Sequence, residues 1–324
     1  MVKLANAEMA EKKLATRAAF GATLAELAEE GVPVVAVDAD LTGSTTTKKF
    51  AAAAPENADK LFNCGIAEQN MIDVAAGLAL TGHVAYTGSF AVFGTGRAYD
   101  QIRNTVCYSN LDVKICPTHA GVSVGPDGGS HQMLEDVSLM RGLPNMRVLV
   151  PADYAAARAA IKLAAKTPGP VYVRMGRAAV PCVYDDDVEL ELGRAYVLRE
   201  GSDATVVACG VEIREALAAA DMLAEEGVSI EVIDAFSVKP LDEDTITASV
   251  AKTGCCVVAE EHSVHGGLGS AVAECLARKN PAPCEFVGVQ DRFGKSGEFE
   301  ELLGYFNLDA AAIVEAVKRA RGRK

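Results

Sequence analysis

The chain has 324 residues, half of them hydrophobic, enough for two ordinary domains each with its own core. A formal net charge of −13 and a pI of about 4.9 argue against a nucleic-acid ligand and match the composition of a cytoplasmic protein. Nine cysteines without any CxxC spacing read as free thiols in a reducing compartment, the N-terminus lacks a secretory h-region, and no apolar run approaches the ~18–20 residues that cross a bilayer.

Residues 14–30 (LATRAAFGATLAELAEE) carry helical periodicity, and Gly31 supplies the stop. The run 32–40 (VPVVAVDAD) is apolar until Asp38 and Asp40, the pattern of a strand buried on both faces. HVAYTGSF (83–90) is strand-like and GRAYDQIRNTVCYS (96–109) helical. VKICPTHAG (113–121), MRVLVPAD (146–153) and GPVYVRMG (169–176) are further short strands, with the helix YAAARAAIKLAAK (154–166) between the last two. Strands alternating with helices predict an α/β fold with mainly parallel sheets flanked by helices.

Composition shifts over 181–203, where a proline, an acidic run and a glycine mark a linker, so the expected domains are 1–185 and 186–324. A smaller α/β unit follows, with strands in 204–210, 229–238, 255–262 and 284–291 and helices at 212–226, 267–278 and 309–321. The terminal KRARGRK reads as a solvated helix tail.

In open parallel sheets ligands sit beyond the carboxyl ends of the strands. The polar and aromatic residues there are Asp40 and Ser44 in DADLTGSTTT, Phe90 and Phe93 in TGSFAVFG, His119 in PTHAG and Arg177 in RMGRAAV. The glycine-rich loop GVSVGPDGGSHQMLED adds Asp127 and His131, in a segment suited to close backbone approach to a ligand. Taken singly each has a plain alternative. Asp40 could cap a turn, Phe90 and Phe93 could be core, His119 could be a structural histidine and Arg177 a surface ion pair. Glu260, Glu261, His262 and His265 in EEHSVHGG could ligate a metal, but the spacing is not HExxH and the following GGLG reads as a helix start. No Walker loop and no Gly-x-Ser-x-Gly elbow occurs.

FNCGIAEQNM (62–71) is different in kind. Glu68 stands ahead of a helix built almost wholly of apolar and small residues, so it points inward, and a buried acid needs a partner.

Taken together, GIAEQN, SFAVFGTGRAYDQIR and GPDGGSHQMLED resemble a transketolase. The resemblance continues through VLVPAD, IDAFSVKPLD and EEHSVHGGLGSAV, and covers residue 12 to the end. It corresponds to the second half of a full-length transketolase, a pyrimidine-binding domain followed by a C-terminal domain, and so to the C-terminal subunit of a two-chain enzyme. The Gly-Asp-Gly…Asn run with which the family holds metal and diphosphate does not occur in the chain. The resemblance implies thiamine diphosphate shared with an N-terminal partner subunit, Mg²⁺ or Ca²⁺ bound by that partner, an α2β2 heterotetramer, and inactivity of this chain alone.

The family's roles carry over by position. Glu68 matches the acid that meets the aminopyrimidine N1′, and burial would favour the protonated form that shares a proton there. Phe90 matches the aromatic that stacks on that ring and Phe93 a second ring lining its pocket, with Asp40 and Leu41 in a cofactor-lining segment. His131 matches a position near the donor's C1 hydroxyl and carbonyl, and Asp127 the acid that binds a substrate hydroxyl. Arg17, Ser44, His119 and Arg177 match the residues that hold the sugar phosphate, where guanidinium forks pair with phosphate oxygens. Gly94 and Gly96 stand where many relatives carry larger residues. Rival readings are a transketolase for an unusual sugar phosphate, the β subunit of a 2-oxoacid dehydrogenase decarboxylase, a truncated deoxyxylulose-phosphate synthase, and a non-catalytic binding module.

Overall fold

The computed structural model describes residues 2–324. In chain order the strands are β1 (Lys13–Ala15), β2 (Val34–Asp38), β3 (Leu61–Asn63), β4 (Val84–Gly88), β5 (Val113–Ile115), β6 (Arg147–Leu149), β7 (Val171–Val173), β8 (Ala179–Pro181), β9 (Tyr196–Arg199), β10 (Ala204–Ala208), β11 (Ile230–Asp234), β12 (Ser237–Lys239), β13 (Cys256–Ser263) and β14 (Cys284–Val289). The larger sheet has the order β12-β6-β7-β5-β4-β2-β3, parallel throughout except for β12. The smaller sheet, β14-β13-β10-β11-β9, is parallel except for β9. The fold is α/β, as the alternating pattern predicts.

Burial on both faces explains the unbroken apolar runs. In β2 every residue is buried. Val34 and Ala36 pack with Phe20, Leu24, Tyr86 and Ile161, while Val35 and Val37 pack with Met71, Ile72, Ala75 and Ile102. The two sets alternate because successive strand residues face opposite sides. The helices Ala19–Glu29, Tyr154–Lys166 and Glu68–Leu80 supply six of those residues, Tyr86 coming from β4 and Ile102 from the segment Ile102–Cys107.

Several expectations are corrected. The helix predicted over 14–30 begins only at Ala19, because Leu14 pairs with Val180 in the two-stranded β1–β8 sheet and residues 16–18 form a 3-10 turn. The linker 181–203 contains β9, which pairs with β11. The run 229–238 is two strands, since β12 leaves the smaller sheet to pair with β6 of the larger. The helical stretch 96–109 lies in a segment with wide π-helical turns at Val92–Arg97 and Ile102–Cys107. The helices Glu243–Thr253 and Phe299–Phe306 were not evident in the sequence. Among the described residues no helix is long and apolar enough to cross a membrane.

Candidate active site

The strand order determines which loops meet. β7, β5, β4, β2 and β3 are successive parallel neighbours. Arg177 follows β7, His119 follows β5, Phe90 and Phe93 follow β4, Asp40 to Ser44 follow β2, and Glu68 opens the helix after β3. Residues dispersed from 40 to 177 therefore share one sheet edge, the place where such sheets bind ligands.

The loop after β2 is built around Asp38. Its buried carboxylate accepts from the Leu41 N–H at 2.6 Å and from the hydroxyls of Thr45 and Thr47 at 2.7 and 2.9 Å. Asp40 adopts φ 65° and its N–H donates to Asn63 Oδ1 at 3.1 Å, which leaves its carboxylate on the exposed side. Arg17 Nη1 donates to the Ser44 carbonyl at 2.8 Å. Ser44 thus meets Arg17 through its backbone. Thr46 pins the same loop, donating to the Arg17 carbonyl and accepting from the Gly21 N–H.

The ring half of the site is tightly stacked. Phe90 and His119 lie with ring centroids 3.8 Å apart, and Phe93 lies 6.2 Å from Phe90 in a near-parallel offset. His131 presents its edge to Phe93 at 5.4 Å and to Phe90 at 6.1 Å. The Arg97 guanidinium sits 4.8 Å above the Phe93 ring and donates from Nη1 to Glu68 Oε2 at 2.9 Å. The Glu68 side chain is 2 % exposed, so the inward direction read from its neighbours holds. Oε1 lies outside that ion pair. A planar heteroaromatic ring fits this set, with aromatic faces to stack on and a buried carboxyl oxygen to meet a ring nitrogen.

The anion half lies beside it. Burial, followed by the like charge of Arg177, holds the Arg17 guanidinium below its ordinary value, and the Asp127 carboxylate opposes that. Arg177 Nη1 donates to the Val124 carbonyl at 2.7 Å. Arg17, Ser123, Gly125, Arg177, Glu298 and Phe299 line an open cleft. His119 is 2 % exposed with its Nδ1 2.7 Å from the Thr118 hydroxyl. Burial first, then Arg17, Arg177 and His131, push it down to about 3, so it serves as a neutral imidazole. Two guanidinium groups in a partly buried cleft are a receptor for a doubly charged oxyanion.

The sequence reading missed Arg97. The sequence carried no signal for it, since Phe93 precedes the predicted helical stretch 96–109 and the two residues lie in the π-helical turn Val92–Arg97. The EEHSVHGG run does structural work instead. Glu260 accepts from the Leu268 and Gly269 N–H groups at 2.7 and 2.8 Å, capping the helix Leu268–Lys279. Glu261 accepts from Ser123, and His262 Nδ1 donates to the Ser263 carbonyl. Among the described residues no cluster of three or more His, Cys, Asp or Glu could hold a metal ion.

Comparison with known proteins identifies the two domains that carry these residues. The transketolase pyrimidine binding domain family matches residues 12–183, and the transketolase C-terminal domain family matches residues 193–313. A putative transketolase C-terminal section from Methanocaldococcus jannaschii is 44% identical over 304 residues, covering 93% of this chain and 94% of the relative. A 6-deoxy-6-sulfo-D-fructose transketolase subunit from Clostridium sp. (strain MSTE9) is 42% identical over 301 residues, covering 93% of this chain and 92% of the relative. A solved structure described as a split-gene transketolase, inactive β4 tetramer, superposes with a TM-score of 0.87 at 48% identity, covering 96% of this chain and 99% of that one. With its pyrimidine-binding and C-terminal domains in this order, the chain belongs to the transketolase family.

Proposed function

We propose that this chain is the C-terminal subunit of a two-chain transketolase that moves a two-carbon ketol unit from a ketose phosphate to an aldose phosphate. The observation that carries the reading is the convergence, at one sheet edge, of a ring site (Glu68, Phe90, Phe93) with a two-arginine anion site (Arg17, Arg177). The two halves fit the two ends of such a reaction, cofactor ring and sugar phosphate.

Thiamine diphosphate, when bound, supplies the nucleophilic carbon and electron sink that the sugar carbonyl chemistry needs. Glu68 holds a proton at the pyrimidine N1′, and Phe90 and Phe93 stack that ring beside the segment Asp40–Leu41. His131 stands at the donor's C1 hydroxyl and carbonyl, and Asp127 accepts from a sugar hydroxyl. Arg17 and Arg177 grip the phosphate. Ser44 fixes Arg17 through its carbonyl, and neutral His119 donates a hydrogen bond without adding charge. The diphosphate and its Mg²⁺ or Ca²⁺ belong to an N-terminal partner, in an α2β2 assembly with two-fold symmetry. The pyrimidine-binding unit ends near residue 185, and the free thiols suit a cytoplasmic location. That the split-gene relative is described as an inactive β4 tetramer supports inactivity without a partner.

A second reading keeps the chemistry and changes the sugar. One relative is named for a sulfofructose, and a sulfonate presents three oxygens to a two-arginine cleft as a phosphate does, with one negative charge fewer. The β subunit of a 2-oxoacid dehydrogenase has no need of the arginine pair. The test is reconstitution with an N-terminal transketolase subunit, thiamine diphosphate and Mg²⁺, supplying xylulose 5-phosphate and ribose 5-phosphate. Sedoheptulose 7-phosphate formed only with both chains present is the expected result. Cofactor binding without that product transfers the reading to another sugar, and absence of both cofactor binding and complex removes it.

A further inference from the structure

Glu261 is buried, 3 % exposed, at the end of the smaller sheet, and it takes no part in the chemistry above. Its carboxylate is spent on one residue 138 positions away. The Ser123 N–H donates to Oε1 at 2.5 Å and the Ser123 hydroxyl to Oε2 at 3.3 Å. Gly121 is shaped to let it in: φ is +80°, and a Cβ there would lie 2.2 Å from the Glu261 carboxyl carbon. The backbone of Glu261 is fixed as well, since its carbonyl accepts from Arg174 Nη2 at 2.9 Å, and Arg174 is paired with Asp136.

The other end of the same loop is fastened to the same unit. Gln132, 4 % exposed, donates from Nε2 to the Lys295 carbonyl at 2.9 Å and accepts the Lys295 N–H on Oε1 at 2.8 Å. The same Nε2 reaches the Val122 carbonyl at 3.0 Å, so Gln132 also closes the loop on itself. Between the two fastenings lie Val124, whose carbonyl orients Arg177, then Asp127 and His131.

We propose that Glu261 is a positioning residue for the start of the sugar-binding loop: while Gln132 holds the far end beside Asp127 and His131, Glu261 fixes Ser123 and Val124 to the C-terminal unit and so sets where Arg177 meets the sugar phosphate. A carboxylate that accepts both Ser123 donors fixes the start of the loop in rotation as well as position. The effect reaches substrate through Ser123, Val124 and Arg177, and Glu261 itself touches no sugar. The part that concerns the sugar rests on the function proposed above; the clamp itself does not.

Two measurements keep these apart. Amide hydrogen exchange on the full chain, without partner or cofactor, should show peptides covering 121–131 exchanging at least tenfold faster in Glu261→Ala, with β10 and β13 unchanged. Glu261→Asp keeps the charge but falls one methylene short of Ser123, and should loosen the loop similarly; it decides the matter if the alanine variant does not fold. Glu261→Gln, which still accepts the Ser123 N–H, should restore protection to within about threefold. In the reconstituted two-chain enzyme, Glu261→Asp should raise KM for the phosphorylated ketose about tenfold, leave kcat within about twofold, and leave KM for the unphosphorylated ketose unchanged. Loop exchange within twofold of wild type in a folded Asp or Ala variant overturns the clamp. A loosened loop with equal KM changes for both ketoses makes Glu261 merely structural and overturns the positioning role. An inactive wild-type complex sinks the proposed function while the exchange result still stands or falls by itself.

Discussion

Glu68 and Arg97 form an ion pair of 2.9 Å in which the carboxylate is 2 % exposed and the guanidinium half-exposed. The arginine thus shields a buried acid from one side while resting on Phe93. Removing Arg97 leaves the carboxylate buried without its cation. Because the guanidinium is half in water, Arg97→Ala should cost only about 1–2 kcal/mol. In an Arg97→Ala/Glu68→Gln double variant most of that loss should vanish, giving a coupling of about 1 kcal/mol in a urea double-mutant cycle. Additive losses would mean that the pair is not formed.

The proposed role of Glu68 predicts a sharp separation between stability and turnover. Glu68→Gln keeps shape and removes the exchangeable proton. The variant should unfold within about 1 kcal/mol of wild type, while reconstituted turnover drops by at least ~100-fold, the lower end of general acid–base contributions. Wild-type-like activity would remove Glu68 from the mechanism.

His119 gives a pH signature. Its folded value, about 3, lies below the ordinary histidine value because of burial and the charges of Arg17 and Arg177. A depressed folded value means stability that is present above the unfolded value of about 6.5 and lost as pH falls toward the folded one. Proton NMR should show one imidazole with no titration between pH 5 and 8. His119→Asn should flatten the loss of stability below pH 6.

How much of this was legible in the sequence depends on how local each cause is. Phe90, Phe93 and His119 could be placed because each stands at the end of a short apolar strand, and the parallel α/β pattern says that such ends meet. Glu68 could be read as inward because its own helix neighbours are apolar. Arg97 could not, because its partner Glu68 is brought to it by the π-helical turn Val92–Arg97, which no periodicity announces. β1 was hidden within a helical pattern because its reason is Val180, far along the chain. β12 was read as a continuation of β11 for a similar reason: its partner is β6 in the other sheet. Glu261 in EEHSVHGG suggested metal chemistry by composition, and only the fold reveals that Ser123 occupies it.

Asp234 titrates in the opposite sense to His119. Its Oδ2 accepts from the Tyr184 hydroxyl at 2.6 Å while Oδ1 is buried without a partner. Burial pushes the carboxyl up to about 7, against the pull of Tyr184. A raised folded value means stability fully present below the unfolded value of about 4 and lost as pH rises through 7. Asp234→Asn should leave stability nearly unchanged at pH 4 and raise it at pH 8 by on the order of 4 kcal/mol. Chemical denaturation at the two pH values checks this, and an equal effect at both would place the titration elsewhere.

The last prediction concerns the anion cleft. Arg177 is held by Val124 with one guanidinium nitrogen, which leaves the rest of the fork directed by that bond. Arg17 is held likewise by Ser44. Two oriented guanidinium groups differ from a diffuse positive patch in one measurable way: the loss of either should act on the charged end of the sugar and on nothing else. A charge-assisted hydrogen bond of about 1.5–3 kcal/mol corresponds to a rise of roughly 10- to 150-fold in KM for a phosphorylated ketose in Arg177→Ala. The unphosphorylated ketose should change by less than about threefold. Arg177→Lys should recover only part of the loss, because an ammonium cannot donate to Val124 and to two phosphate oxygens with the same planar geometry. Steady-state kinetics of the reconstituted enzyme with both ketoses decides it, and equal effects on the two would take Arg177 out of the phosphate site.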